Sequence, residues 1–160
     1  MSIRHWAFVT IGFPLLVAMT AAQAGNTPMA QNSAPDKFQK VPNVPDCLTA
    51  AVQQGDPGKG GSVLLLKGTA DCKAPWHWHT PNEQVMMVSG TGRVEMKGQQ
   101  PVLLRPGGFA AAPSKHVHQF TCVGRGCEFF LVSDAPFDIH YVDQSGKEIP
   151  PEQVLGKPKK

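Results

Sequence analysis

From Cys47 onward the chain breaks into short apolar runs separated by Gly and Pro, the patterning of strands rather than helices. The runs predict strands near 47–53, 62–67, 75–79, 84–89, 92–97, 101–105, 109–112, 116–123, 127–133 and 138–142. Turns are expected at Gly55-Asp56-Pro57-Gly58, Ser89-Gly90-Thr91-Gly92, Pro106-Gly107-Gly108 and Gly124-Arg125-Gly126, where Gly and Pro supply the backbone angles. One segment, Leu48 to Gln54, also admits a short helix, since Ala50 and Ala51 are good helix formers. Turns at these intervals leave no room for long helices, so the expected fold is all-β, a sandwich or barrel.

The first 45 residues lack this patterning. Arg4 and His5 precede an apolar run from Ala7 to Met19, and small residues follow to Ala24, which reads as a secretory signal peptide over 1–24. The run falls short of the roughly 20 residues that span a bilayer and contains Pro14, so a retained anchor is the weaker reading. Ala22-Gln23-Ala24 offers a cleavage site ahead of Gly25. No Cys follows it to carry a lipid, and no Arg-Arg pair precedes the run, which favours export of an unfolded chain. Residues 25–45, rich in Asn, Gln, Pro and Ser, are expected to be a flexible lead-in, 46–145 the barrel and 146–160 a tail. A mature chain of this length supports one core.

Charge and cysteines narrow the class. The formal charge of +3 includes Arg4, and Lys157, Lys159 and Lys160 cluster in the tail. No basic stripe with interleaved aromatics remains, so neither nucleic acid nor, after cleavage, a membrane is an expected partner. All four cysteines lie beyond the cleavage site, and an even count in an exported chain favours disulfides. Three pairings are possible. Cys122 and Cys127 bracket a glycine-rich turn and make the favoured local bridge, leaving Cys47 with Cys72, whereas a thiolate zinc site lacks paired C-x2-C spacing. The expected location is periplasmic or secreted.

The chemistry concentrates in Pro75-Trp76-His77-Trp78-His79-Thr80-Pro81-Asn82-Glu83. Residues two apart on a strand share a face, so His77 and His79 present two imidazoles together. A turn through Thr80-Pro81-Asn82 can return Glu83 beside them. Two imidazoles and a carboxylate are three metal donors with room for solvent or substrate. His116 and His118, again two apart, could each supply a fourth.

These residues resemble the cupin family. Its first motif, Gly-x5-His-x-His-x3,4-Glu-x6-Gly, is met by His77, His79, Glu83 and Gly90, although Asp71 stands at the opening Gly with Gly68 nearby. Its second motif, Gly-x5-Pro-x-Gly-x2-His-x3-Asn, is met by Gly107, Pro113 and His118, with Lys115 replacing the second Gly and Cys122 the Asn. The resemblance covers about 47–142. It implies a single cupin barrel, a jelly-roll or double-stranded β-helix, with one divalent metal ion held by His77, His79, Glu83 and His118. Small exported bacterial cupins share the Pro-Trp-His-Trp-His run and the Phe137–Val142 segment.

The remaining candidates have plainer readings. His116 is expected to support the ligands or sit in a loop, and His140, which shares no motif spacing, to be a partly exposed histidine. Met86 and Met87 could be soft copper ligands but are more simply core filler. Trp76 and Trp78 lie opposite the histidines and are expected to pack against a sheet or a second subunit, leaving a homodimer open. Val85, Met87 and Phe120 are the inward candidates for an apolar pocket. The expected ion is zinc, copper, manganese or nickel in preference to iron, because imidazole-rich sites favour later first-row metals and an oxidising compartment is a poor source of ferrous iron. The resemblance implies a metal-dependent oxidoreductase of dioxygenase type acting on a small oxygen-bearing molecule. Alternatives are an anion-binding or small-molecule module without catalysis and a non-redox metalloenzyme, an isomerase or lactone hydrolase.

Overall fold

The computed structural model describes residues 29–156. The expected signal peptide lies outside the described residues. Among the described residues, no helix is long and apolar enough to cross a membrane. The described residues from Asn32 onward form one compact unit that contains every element named below.

Among the described residues, nine strands make one curled antiparallel sheet: β1 (Gln39–Lys40), β2 (Leu48–Gly55), β3 (Ser62–Gly68), β4 (Lys73–Trp78), β5 (Glu83–Met96), β6 (Val102–Leu104), β7 (Phe109–Ala112), β8 (His118–Ser133) and β9 (His140–Tyr141). The long strand β8 organises the rest. Along one edge it pairs with β5 throughout, from Glu83↔Ser133 to Met96↔His118. Along the other it pairs first with β4, then with β3. The outer edge of β5 takes β6 and β7, β9 pairs with β4, and β2 and β1 extend the sheet beyond β3. This closes the all-β jelly-roll barrel. Leu48–Gly55 is a strand and not a helix, because Leu48, Ala50 and Ala51 are buried in register with β3.

Two expected turns do not reverse the chain. Ser89-Gly90-Thr91-Gly92 lies inside β5, and Gly124-Arg125-Gly126 inside β8, where Gly90 faces Cys127 and Gly92 faces Cys122. Residues 123–126 therefore bulge out of a strand that continues in the same direction. The glycines serve this bulge: Gly90 has φ 72°, and a Cβ there would stand 2.2 Å from the Gly126 carbonyl oxygen. Disulfide Cys122–Cys127 closes the bulge, and Cys47–Cys72 ties the start of β2 to the start of β4. No free cysteine is present among the described residues.

The two motif departures that stand at glycine positions keep a glycine-like backbone. Asp71 has φ 54° and Lys115 φ 61°, a left-handed conformation that costs a side-chain-bearing residue about 1–2 kcal/mol. Each is held by other bonds: Asp71 Oδ1 accepts the Gly124 N–H (3.0 Å), and the Lys115 N–H donates to the His79 carbonyl (2.8 Å).

Leu64, Leu66, Phe120, Phe129 and Leu131 fill the barrel, and burying each side chain contributes about 1.5–3 kcal/mol. Val41 and Val44, from the region read as lead-in, pack against this core, and Pro151–Leu155 in the region read as tail is a short helix, α1.

Candidate metal site

β4, β5 and β8 deliver the four residues singled out in the sequence to one place. His77 lies on β4, directly opposite His118 at the head of β8, and Glu83 begins β5. His79 lies one residue beyond the end of β4. All four are buried: His77 and His79 are 3% exposed, Glu83 and His118 6%. The three imidazoles offer ligand nitrogens within 4.8 Å of one another. Glu83 reaches between two of them, its Oε1 3.4 Å from His79 Nε2 and its Oε2 3.2 Å from His118 Nε2.

The backbone sets the direction of each ring. His77 Nδ1–H donates to the Pro75 carbonyl (2.5 Å), His118 Nδ1–H to the His116 carbonyl (2.9 Å), and His79 Nδ1–H to the Asp138 carbonyl. A carbonyl can only accept, so each Nδ1 carries a proton, and Nε2 is left as the atom each ring can offer a ligand. His79 Nε2 is buried without a hydrogen-bond partner. A buried lone pair left in this way calls for a ligand.

The charges agree. Burial, with the neighbouring His118 and His79, holds the His77 imidazole down to about 3, so it stays neutral. Burial alone would raise Glu83, but His79, His118 and His77 overcome it and bring the carboxyl down to about 2, an ionised group. Burial also opposes protonation of His118, yet its bond to Glu83 raises it overall. Three imidazoles around one carboxylate form a donor set that fits a divalent transition ion.

Beside these residues lies a cavity with a free volume of about 60 Å³, space for a few waters or a small organic molecule. Apart from the three histidines and Glu83 its lining is apolar. Val85 and Phe120 line it as expected from alternation, whereas Met87 does not: it is buried deeper in the core, where a Cβ on Gly92 would meet its sulfur at 3.0 Å. Met86, on the opposite face, is half-buried. His116 meets the site only through its carbonyl bond to His118.

Sequence reasoning missed the segment from Phe137 to His140. Phe137 and Ile139 line the cavity, with the Phe137 ring 5.1 Å from that of His79. His140 is partly exposed, as expected, but it is well partnered. It stacks on Trp78 at 3.9 Å and 4° and bonds Glu148 (2.8 Å) and Asp138 (3.3 Å). Trp78 thus packs against its own chain, with Lys115 Nζ 5.8 Å over the ring. The period-two pattern Phe137-Asp138-Ile139-His140 was the available signal.

Comparisons with known proteins agree with this architecture. Residues 65–133 match the family model described as the cupin domain. No curated protein matches the sequence. Among solved structures, the chain is similar to an acetylacetone dioxygenase from Acinetobacter johnsonii (TM-score 0.59, 14% identity, covering 80% of this chain and 87% of that one). It is also similar to KdgF from Halomonas sp. (0.53, 19%, 64% and 92%). A third is a sugar phosphate isomerase from a cupin superfamily of Silicibacter pomeroyi (0.52, 22%, 62% and 68%). At these identities the likeness is one of fold.

Proposed function

From the premise that the chain belongs to the cupin superfamily, we propose that it binds one divalent transition ion through His77, His79, Glu83 and His118 and acts as a metal-dependent oxidoreductase of dioxygenase type. The observation that carries the metal is the convergence of three buried imidazoles, each turned by a backbone carbonyl that accepts its Nδ1–H, beside one buried carboxylate. When bound, a divalent ion supplies Lewis acidity toward an oxygen-bearing substrate and, for copper or manganese, redox capacity. Copper, nickel and zinc suit the imidazole-rich set better than ferrous iron, and an oxidising compartment, a poor source of ferrous iron, leaves manganese ahead of it as well.

The chain's own part is to shape and dry the space beside the donors. The cavity holds no acid or base outside the donor set. A substrate therefore receives no proton relay from the wall, which favours chemistry in which it engages the ion through its own oxygens and rests its apolar body on Val85, Phe120 and Ile139. That arrangement suits a small molecule with two neighbouring oxygens more than a sugar, whose many hydroxyls would lie unpaired against apolar walls. Two disulfides with no free thiol among the described residues fit an oxidising compartment, the periplasm or outside of the cell.

Oxygen uptake by the metal-loaded protein with small diketones, phenols and dicarboxylates tests the reading. Uptake with one of these classes, lost in His79→Ala, is the expected result. Binding without turnover would replace it with a non-catalytic module, and turnover without oxygen uptake with an isomerase or hydrolase.

A further inference from the structure

Of the three histidines, two orient themselves locally. His77 and His118 each bond the carbonyl two residues before them in the chain. His79 is different: it lies beyond the end of β4, and the carbonyl that accepts its Nδ1–H belongs to Asp138, 59 residues further on. Its ring direction therefore depends on how the segment before β9 is held.

That segment is held from several sides. Asp138 Oδ1 accepts the Thr80 N–H at 2.7 Å, so the side chain and the carbonyl of one residue grip two consecutive residues of the β4–β5 turn. The other oxygen of Asp138 stands 3.3 Å from His140 Nε2, whose Nδ1 is 2.8 Å from Glu148 Oε1. The His140 ring lies flat on Trp78, the residue immediately before His79. Alternation turns Phe137 and Ile139 to the cavity and leaves Asp138 and His140 to do the fastening.

We propose that Asp138 and His140 form a latch that positions His79 as a metal ligand: they fasten the Phe137–His140 strap onto the β4–β5 turn, fixing the tautomer and direction of the His79 ring. Both are positioning residues, acting through His79 and touching neither ion nor substrate. The latch rests on the metal-site reading above for its purpose, but the hydrogen bond it secures exists without an ion. A carbonyl or carboxylate behind a ligating imidazole typically changes metal affinity about 10–100-fold when lost.

The substitutions separate the contacts. Asp138→Ala removes the Thr80 acceptor and the His140 partner together, Asp138→Asn keeps an acceptor for the Thr80 N–H, and His140→Phe keeps the stack on Trp78 while losing both carboxylate bonds. Two readouts on the full mature chain are needed: the His79 tautomer in metal-free protein by long-range proton–nitrogen NMR, and affinity for cobalt(II), with its visible spectrum, by titration. In the wild type the His79 Nδ1–H form is expected to dominate. In Asp138→Ala it is expected to give way to a mixture, with cobalt affinity down about 10–100-fold and an altered spectrum. Asp138→Asn is expected to recover most of both. An unchanged His79 tautomer in Asp138→Ala would overturn the latch. If the wild type bound no cobalt, the metal reading would fall, and the NMR comparison would still decide the latch.

Discussion

A buried imidazole that stays neutral makes folding sensitive to acid, and His77 is that group. Its folded-state value is held to about 3 against an ordinary 6.5, by burial first and then by His118 and His79. A histidine depressed on folding contributes stability that is complete above 6.5 and is lost as the pH falls toward 3, because the unfolded chain takes up the proton first. The slope for one proton is about 1.4 kcal/mol per pH unit, giving roughly 4–5 kcal/mol across the full window. His118 does not cancel this. Its value is raised by Glu83, so its contribution is already complete below 6.5 and changes only above it. Glu83, held to about 2, adds its own loss, but only as the pH falls below its ordinary 4.5. Between pH 6.5 and 4.5 the slope therefore isolates His77 from the other two. The assay is urea unfolding of the chelator-treated, disulfide-intact protein at several pH values across that window, compared with His77→Asn, which keeps a donor for the Pro75 carbonyl and does not titrate. The wild type should lose about 1.4 kcal/mol per unit more than the variant. Equal slopes would mean that His77 protonates freely in the folded chain, contradicting its place in a buried cluster.

Two further outcomes test the frame around the site. Gly90→Ala places a Cβ 2.2 Å from the Gly126 carbonyl oxygen at φ 72°, against a bulge closed by a disulfide, and should cost at least about 2 kcal/mol in chemical unfolding; a loss below about 0.5 would show that the bulge yields. Replacing Cys47 and Cys72 by serine opens a crosslink spanning 25 residues, and loop entropy sets the expected loss at about 3.5 kcal/mol in the same assay; an unchanged midpoint would show that the N-terminal strands are held without it.

How much of this was legible depended on whether the signal was local. The histidine pair was readable because a period of two is a property of one strand, and Glu83 because a three-residue turn can only return the chain nearby. The choice of His118 over His116 needed the family spacing, since alternation alone allows either, and the structure turns His118 inward while His116 offers only its carbonyl. Gly90, Gly124 and Gly126 were read as turns because glycine marks a left-handed residue without saying whether the chain then reverses; their role in a bulge appears only when β5 and β8 are paired. Asp71 and Lys115 could not be recognised as left-handed from their side chains. Met87 shares a face with Glu83 but lies too far along β5 to reach the cavity. The grip of Asp138 on His79 joins residues 59 apart, and no local pattern contains it.

The central claim is that four named side chains hold one divalent ion. Elemental mass spectrometry on protein isolated from its own cells without added metal, beside His118→Ala and His116→Ala, tests it most directly. One equivalent of zinc, copper, manganese or nickel in the wild type, retained in His116→Ala and lost in His118→Ala, is the predicted result. Full occupancy in His118→Ala, or no stoichiometric metal in any of the three, would contradict it.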